Sequence, residues 1–589
     1  MERNVFPKHL LRLNALIAIG LGTYSLLTAL YLWMSFHVHI PIRDTLRVMP
    51  LVQTALEQGF FSVSASDWFA AHAGAHRVTL IRAAMVIDHT WFGGQNHFIY
   101  MLAWFGRAAL FLVFFFSFRQ SYRGENTLLL FISGLSLAFM LSHTQTIIMI
   151  HPMGNTWYFA LSASAVSIFL IVRNTRAPSW PGLLVTYLVA LIAGLSNFSG
   201  IFIFLLLPVL IGLRDARKGL LSAVITSVLL FLYTTDMSTG STVDSVLESN
   251  SLSEAGNHLS RLIAKVTYIL SQVCLYLGSP LSIDYPRLAT MLVVISFLVL
   301  GAGWTLLLRA RHSLQHVNAW FETNLAMATL SLGVAIATCM GRALILEPTA
   351  ERYQTVVMFY WLCICGTFLS LAFQANKPLS WCQPISTSAC LAIFLVLTTI
   401  PTPSLQDAAK VAEKANGVST LTVMGVKKNL DYRRLLIRGQ PDALAKLDPH
   451  FRKYNSSYWL DVMWKLDMES PPNCTRVSIQ ITPSEWPDIF IVRGRIHDFG
   501  SKWYRQIPLF NSRGELIGYL FRDFTEKVTP ARMITGAEDR WKGYIRLDEA
   551  FASEVYLHYR KSVFSGDVCR LLISGGGAES DMDAPPANV

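Results

Sequence analysis

Long apolar runs separated by short polar segments fill the chain up to about residue 403. A run of 18–23 apolar residues crosses ~30 Å of hydrocarbon as a helix. Eleven runs of about that kind centre on 13–35, 98–118, 127–149, 157–172, 181–196, 200–213, 219–235, 288–308, 319–340, 355–374 and 384–402, those at 157–172 and 200–213 being short. A further run at 263–281 holds Lys265 and ends in LGSPLSIDYPR, and reads as re-entrant or as lying at the outer face. Arg3, Lys8 and Arg12 precede the first span. Arg119 and Arg123, Arg173 and Arg176, and Arg214, Arg217 and Lys218 fall in alternate loops on the same side, joined by Arg309, Arg311 and Lys377 if 263–281 does not cross. Positive charge marks the cytoplasmic side, so the pattern predicts about eleven transmembrane helices, N-terminus inside and C-terminus outside.

After Pro401-Thr402-Pro403 the pattern changes. LQDAAKVAEKAN and DYRRLLIRGQPDALAKLD predict two helices, and from about 475 alternation predicts strands, among them IFIVRG, ELIGYLFR, GYIRL and EVYLHYR. The turn NSRG between alternating runs predicts a hairpin. The expected organisation is a transmembrane domain over 1–403, then an outer domain over 404–574 made of a helical linker and a β-sandwich-like part, and a tail over 575–589 whose composition predicts disorder.

Composition fixes the broad class. The 589 residues are 52% hydrophobic and 15% charged, against about a quarter charged in a soluble domain. The first apolar run is too long for a signal peptide and lacks a small-residue cleavage site. The net charge of +11 is topology signal in such a chain. No basic patch interleaved with aromatics points to nucleic acid. Most cysteines lie in spans, while Cys474 and Cys569 fall in the outer domain, as a disulfide or as two free thiols.

Candidate chemistry gathers in the outer segments. Ile40–Arg82 carries Arg43, Asp44, Arg47, Asp67, His72, His76, Arg77 and Arg82. The spacing of Leu46, Met49, Leu51 and Ala55 predicts an amphipathic helix on the membrane, with Asp44 at its N-terminal end as base or as helix cap. A second helix is expected over HAGAHRVTLIRAAMVIDHTW, with Val78, Ile81, Ala84, Met85 and Trp91 on one face. Arginine there either snorkels to lipid phosphate or, buried beside a histidine, suits a phosphodiester or diphosphate. HPMGNT, with His151 and Asn155, and Asn197 in GLSNFSG mark further outer turns. The polar loop 236–262 reads as a lid or a plain connector, and GRALILEPTAERYQT as an outer segment beside a late span. No HxxH, CxxC or DxD cluster supports a metal site.

Together these pieces resemble the GT-C class of membrane glycosyltransferases, which use polyprenyl-phosphate-linked sugars. The nearest likeness is to the bacterial O-antigen glucosyltransferases and the transferases that place arabinofuranose on type IV pilin. The resemblance covers roughly residues 1–400. It rests on Asp44 in RDTLR after the first span, Ala75-His76-Arg77 where the group has Glu-His-Arg, Gly341-Arg342, and Glu351-Arg352-Tyr353 where the group has Ser-Arg-Tyr. Ala75 replaces the group's glutamate and Thr45 follows a single Asp44, so a second carboxylate is absent unless Asp67 or Glu351 stands in. The resemblance implies an enzyme of the bacterial inner membrane with its C-terminal domain in the periplasm. It implies inverting transfer from a polyprenyl-phosphate sugar to a glycan or pilin acceptor, with the lipid-linked sugar as substrate and no cofactor, while the two departures put metal dependence in doubt and no metal ligand is assigned. Asp44 would be the general base. His76, Arg77 and Arg352, with Arg342, Arg43 and Tyr353, would hold the donor phosphate. A flippase or transporter of lipid-linked glycan, a glycan ligase or polymerase, and a scaffold remain as alternatives.

Overall fold

The computed structural model describes residues 5–36, 48–70, 77–92, 96–150, 152–174, 178–235, 258–279, 281–282, 285–310, 318–342, 353–374, 382–399, 477–484, 489–496, 506–510, 516–522, 540–546, 554–562 and 565–572. The chain divides into two compact units, Met1–Ala408 and Ala409–Val589.

The first unit is helical: α1 (Val5–Phe36), α2 (Met49–Gln58), α3 (Ala65–Phe69), α4 (Thr79–Trp91), α5 (His97–Ser121), α6 (Asn126–Met140), α7 (Thr146–Ile150) and α8 (Thr156–Val172). There follow α9 (Trp180–Ser196), α10 (Phe202–Gly212), α11 (Ala216–Thr234), α12 (His258–Leu277), α13 (Pro286–Arg309), α14 (Ala319–Arg342), α15 (Gln354–Gln374) and α16 (Cys382–Thr399). Among the described residues seven helices are long and apolar enough to cross a bilayer, including α1, α5, α11, α13, α14 and α15. Thr156–Val172, Trp180–Ser196, Phe198–Gly212, Val266–Leu277 and Cys382–Thr398 are apolar but shorter. This is the architecture of a multi-pass helical membrane protein. Large apolar side chains such as Leu220, Phe231 and Leu298 stand exposed on α11 and α13, as a hydrocarbon solvent allows.

α1 lies along α6 at Gly22 and Gly134, where a Cβ on either glycine would collide with the other helix's backbone. Small residues let helices approach where burial of apolar surface supplies little drive. Near its start α1 is tied to α16 by Asn14 Nδ2, which donates to Thr387 Oγ1 at 2.8 Å and Pro384 O at 3.1 Å.

The helix ends sort into two groups. At one end Gln120 Nε2 donates to Arg173 O, Arg214 Nε to Asn174 O, Lys218 Nζ to Pro178 O, and Asn318 Nδ2 to Tyr122 Oη. Arg214 and Glu322, both buried, form an ion pair there. Arg119, Arg123, Arg173, Arg214, Arg217 and Lys218 thus share one end. The other end holds Tyr353, Trp157 and Tyr276 in ring contact. α13 begins near this Tyr353 end, since Gly278, two residues after Tyr276, packs on Ala289, and Gln354 Nε2 donates to Ser279 Oγ.

Here α2, α3 and α4 form a small layer against the first turns of α5. Val48, Val52, Ala55, Val78, Ile81, Ala84 and Met85 share a core with Ile99 and Ala103 of α5 and Phe159 of α8. The apolar face of α2 therefore packs on protein, where the pattern predicted a helix lying on the membrane.

The second unit contains β1 (Val477–Pro483), β2 (Ile489–Ile496), β3 (Gln506–Phe510), β4 (Leu516–Arg522), β5 (Arg540–Arg546), β6 (Glu554–Ser562) and β7 (Ser565–Leu572). They form one sheet in the order β1-β2-β5-β4-β3-β6-β7, antiparallel throughout, where two packed sheets were expected. Val492, Leu520 and Ile545 are buried, and Val492 and Leu520 pair with Gly543 in neighbouring strands, so they share one face. The hairpin expected at NSRG is present as β3–β4. The two linker helices, Cys474 and the tail lie outside the described residues.

Candidate functional site

Asp44, Arg43, His76 and Arg352 lie outside the described residues. Arg342 is the last residue of α14 and is described by its backbone alone. Two of the expected site residues, Arg77 and Tyr353, have described side chains.

α2 starts at Met49, with Val48 as N-cap and a proline in its first turn. Proline fits there because the first-turn N–H groups have no partner inside the helix. Asp44 stands four residues before that cap, outside the described residues.

Arg77 is buried, and its donors go to backbone carbonyls. Nε donates to Tyr233 O at 2.9 Å, and Nη2 to Leu232 O and Thr235 O at the end of α11. Nη1 donates to Phe69 O at the end of α3. Its backbone N–H reaches Tyr233 Oη at 3.2 Å. The last carbonyls of a helix lack partners and carry its negative pole, so a guanidinium is well placed among them. Arg82, also buried, repeats the motif: Nη1 donates to Asp67 O, Trp68 O and Ala70 O. Burial lowers the Arg82 pKa, the nearby Arg77 charge lowers it further, and Asp67 opposes them. Two arginines thus dock α3 and α11 onto the start of α4. The guanidinium expected on donor phosphate is occupied in holding helix ends.

Asp88 is fully buried at the far end of α4. Its Oδ2 accepts from Asn96 N at 2.7 Å and its Oδ1 from Phe98 N at 2.6 Å. It therefore caps α5, whose N-cap Asn96 takes a left-handed backbone with φ 61°. Burial raises the Asp88 pKa to about 6, against the lowering effect of the two N–H donors.

A different arginine occupies the interior. Arg107 sits ten residues into α5, about 15 Å from its first turn, and is 5% exposed. Its Cζ lies 3.8 Å from the centre of the Tyr158 ring and 5.1 Å from that of Trp104. Nη2 donates to Asn155 Oδ1 at 3.0 Å. Nε is buried and has no acceptor among the described residues. No carboxylate pairs with Arg107 among them either.

The environment is polar because the helices around it stop short. α6 ends at Met140, and the chain to Asn155 runs through two 3-10 turns and the five-residue α7. Ser142, Thr144, Gln145 and Thr146 in this stretch are buried. Tyr158 Oη fixes it by donating to Met140 O at 3.1 Å and Gln145 Oε1 at 2.6 Å. Gly154 packs on the backbone of Ile148 so closely that a Cβ would collide with it. α9 likewise ends at Ser196, and Asn197 Nδ2 donates to Thr156 Oγ1 at 2.8 Å. Backbone without helical pairing is tolerated at membrane depth only where protein buries it or it lines a wet cavity. The outer turns predicted at HPMGNT and GLSNFSG are thus folded inward, onto the start of α8.

Tyr353 joins this region from α15. Its ring is buried, 6.3 Å from Trp157 and 5.1 Å from Tyr276. Trp157 lies two residues after Asn155, so Tyr353 and Arg107 flank the first turn of α8. Sequence reading missed Arg107; one cation in a long apolar run was its signal. At the opposite end a cavity of about 740 Å³ is lined by Arg119, Arg123 and Glu125 among others. No group of metal-binding side chains occurs among the described residues.

No protein-family model, curated protein or solved structure matches the chain.

Proposed function

We propose that the protein is a membrane glycosyltransferase that moves a sugar from a polyprenyl-phosphate donor to a glycan or pilin acceptor. One observation carries this reading. The described neighbours of the motif residues gather at one end of the helical unit, around a buried cation. Val48, four residues after Asp44, and Val78, two after His76, share one core with Ala103, a turn before Arg107. Tyr353, next to Arg352, lies by the first turn of α8, which also meets Arg107. Polar groups at a shared depth are what a lipid-held head group requires.

In the proposed reaction an acceptor hydroxyl attacks the anomeric carbon. The bond from that carbon to the phosphate oxygen breaks, and its electron pair leaves on polyprenyl phosphate. Asp44 takes the hydroxyl proton during attack, a contribution of about 10²–10⁴ in rate. His76 and Arg352 stabilise the departing phosphate, and Tyr353 orients the donor. Arg77 acts through position, holding the ends of α3 and α11 together. Arg342 and Arg43 are secondary phosphate contacts. In this reading the end rich in lysine and arginine faces the cytoplasm and the site faces the periplasm of a bacterial inner membrane.

The test is transfer of labelled sugar from a panel of polyprenyl-phosphate sugars by membranes holding the protein. Asp44→Asn should abolish transfer with expression and insertion unchanged; full transfer by this variant ends the assignment. A second reading, transport of a lipid-linked glycan, is favoured by the inward-folded breaks at 141–155 and 197–201, since transporters build substrate sites from discontinuous helices. Reconstituted vesicles separate the two: a transferase forms a new glycosidic product, whereas a transporter moves its lipid unchanged.

A further inference from the structure

We infer that Arg107 is the residue that binds a phosphate at the floor of this end of the bundle, with Asn155 setting its guanidinium in place. The inference deepens the proposed function and rests on it for the donor's identity.

Removing a cation from water costs several kcal/mol even after relaxation, and structures normally repay it with a counter-ion. The described surroundings of Arg107 repay it with one neutral amide oxygen and two aromatic faces. Cation–π contact in a desolvated site is worth about 2 kcal/mol. A deficit remains, and an anion would fill it. Arg77, Arg82 and Arg214 make the contrast: each spends its donors on two or more backbone carbonyls, and Arg214 also has Glu322.

Geometry narrows the ligand. Tyr158 covers one face of the guanidinium and Asn155 one edge, while Nε is left without an acceptor among the described residues. A guanidinium held edge-on suits the paired oxygens of a phosphate. The first turn of α8, a 17-residue helix, begins at the same place, and its positive pole favours an anion. A phosphate here would arrive from the bilayer, either as polyprenyl phosphate or as the head group of a phospholipid.

The test uses full-length protein in nanodiscs and three probes: farnesyl phosphate, phosphatidic acid and inorganic phosphate. The decisive variant is Asn155→Asp. It is nearly isosteric and brings a carboxylate to Arg107, so it should keep or raise the melting temperature while lowering farnesyl phosphate affinity at least tenfold. Arg107→Gln should lower that affinity similarly, and Arg107→Lys, which keeps charge without the planar fork, should recover little of it. Unchanged farnesyl phosphate binding in a folded Asn155→Asp protein overturns the inference. Equally tight binding of phosphatidic acid, weakened by the same Asn155→Asp change, supports the phosphate chemistry but overturns the sugar donor as its source. Wild-type binding that Asn155→Asp abolishes, with no transfer from any donor, keeps the site and removes the glycosyltransferase. Transfer in the wild type with binding unaffected by Asn155→Asp does the reverse.

Discussion

Three buried arginines near one end of the bundle differ in what their donors touch. Arg77 and Arg82 serve helix C-termini, so their positive charge meets aligned carbonyls. Arg107 meets one amide and two rings. Sequence could not rank them, because burial and the identity of acceptors come from chain segments far away: Arg77 reaches Thr235, and Arg107 reaches Asn155. The difference predicts two kinds of variant. Arg77→Ala strips carbonyls at two helix ends of charged hydrogen bonds worth about 1.5–3 kcal/mol each before non-additivity. Its expected signature is a lower melting temperature in detergent and faster proteolysis just after residue 235. In the protein that remains folded, binding of a polyprenyl phosphate should be unchanged. A normal melting temperature with a selective loss of that binding would return Arg77 to the phosphate.

At the scale of elements, apolar run length marked the helices well, because a membrane helix needs little else to be recognised. The breaks were less legible. TIIMIHPMGN is apolar almost to its end, so hydropathy does not register that α6 stops at Met140; Pro152 and Gly154 were the local warnings. Strand alternation identified β2, β4 and β5, whereas the pairing of β3 with β6 depends on non-local contacts that no local pattern states. The joint between α4 and α5 was equally hidden, since Asp88 looks like an ordinary polar residue until both its oxygens meet backbone N–H groups. Its pKa of about 6 in the folded protein lies above the ordinary value of 3.8. The folded state therefore binds this proton more tightly than the unfolded state. The stability it contributes is complete below about pH 4 and is lost as pH rises through about 6. The full loss is about 3 kcal/mol, and discounting for solvation makes about 1–3 kcal/mol the working range. A melting series between pH 4 and 7 should show this slope in the wild type and a flatter one in Asp88→Asn. An unchanged slope would place the titration elsewhere.

For the whole molecule, the two units divide the proposed labour. Every residue assigned here to donor or phosphate belongs to Met1–Ala408, while Ala409–Val589 contains the antiparallel sheet. A lipid-linked donor is recognised by groups at bilayer depth. In the proposed reading an acceptor is met outside it by the sheet unit, whose sequence is rich in Trp and Tyr, residue types that stack on sugar rings. Trp541 is excepted, since its side chain is buried in the sheet. The division predicts how a truncated chain behaves. Residues 1–408 form their own compact unit and should insert, remain monodisperse in detergent and bind farnesyl phosphate within about threefold of the full chain. Transfer to water or to a small alcohol, a reaction that needs no acceptor recognition, should persist, while transfer to glycan or pilin falls at least tenfold. If truncation leaves acceptor choice and rate intact, the sheet has another task. If it removes farnesyl phosphate binding from a folded chain, phosphate recognition is shared between the units, and the assignment of that chemistry to the helices around Arg107 is wrong.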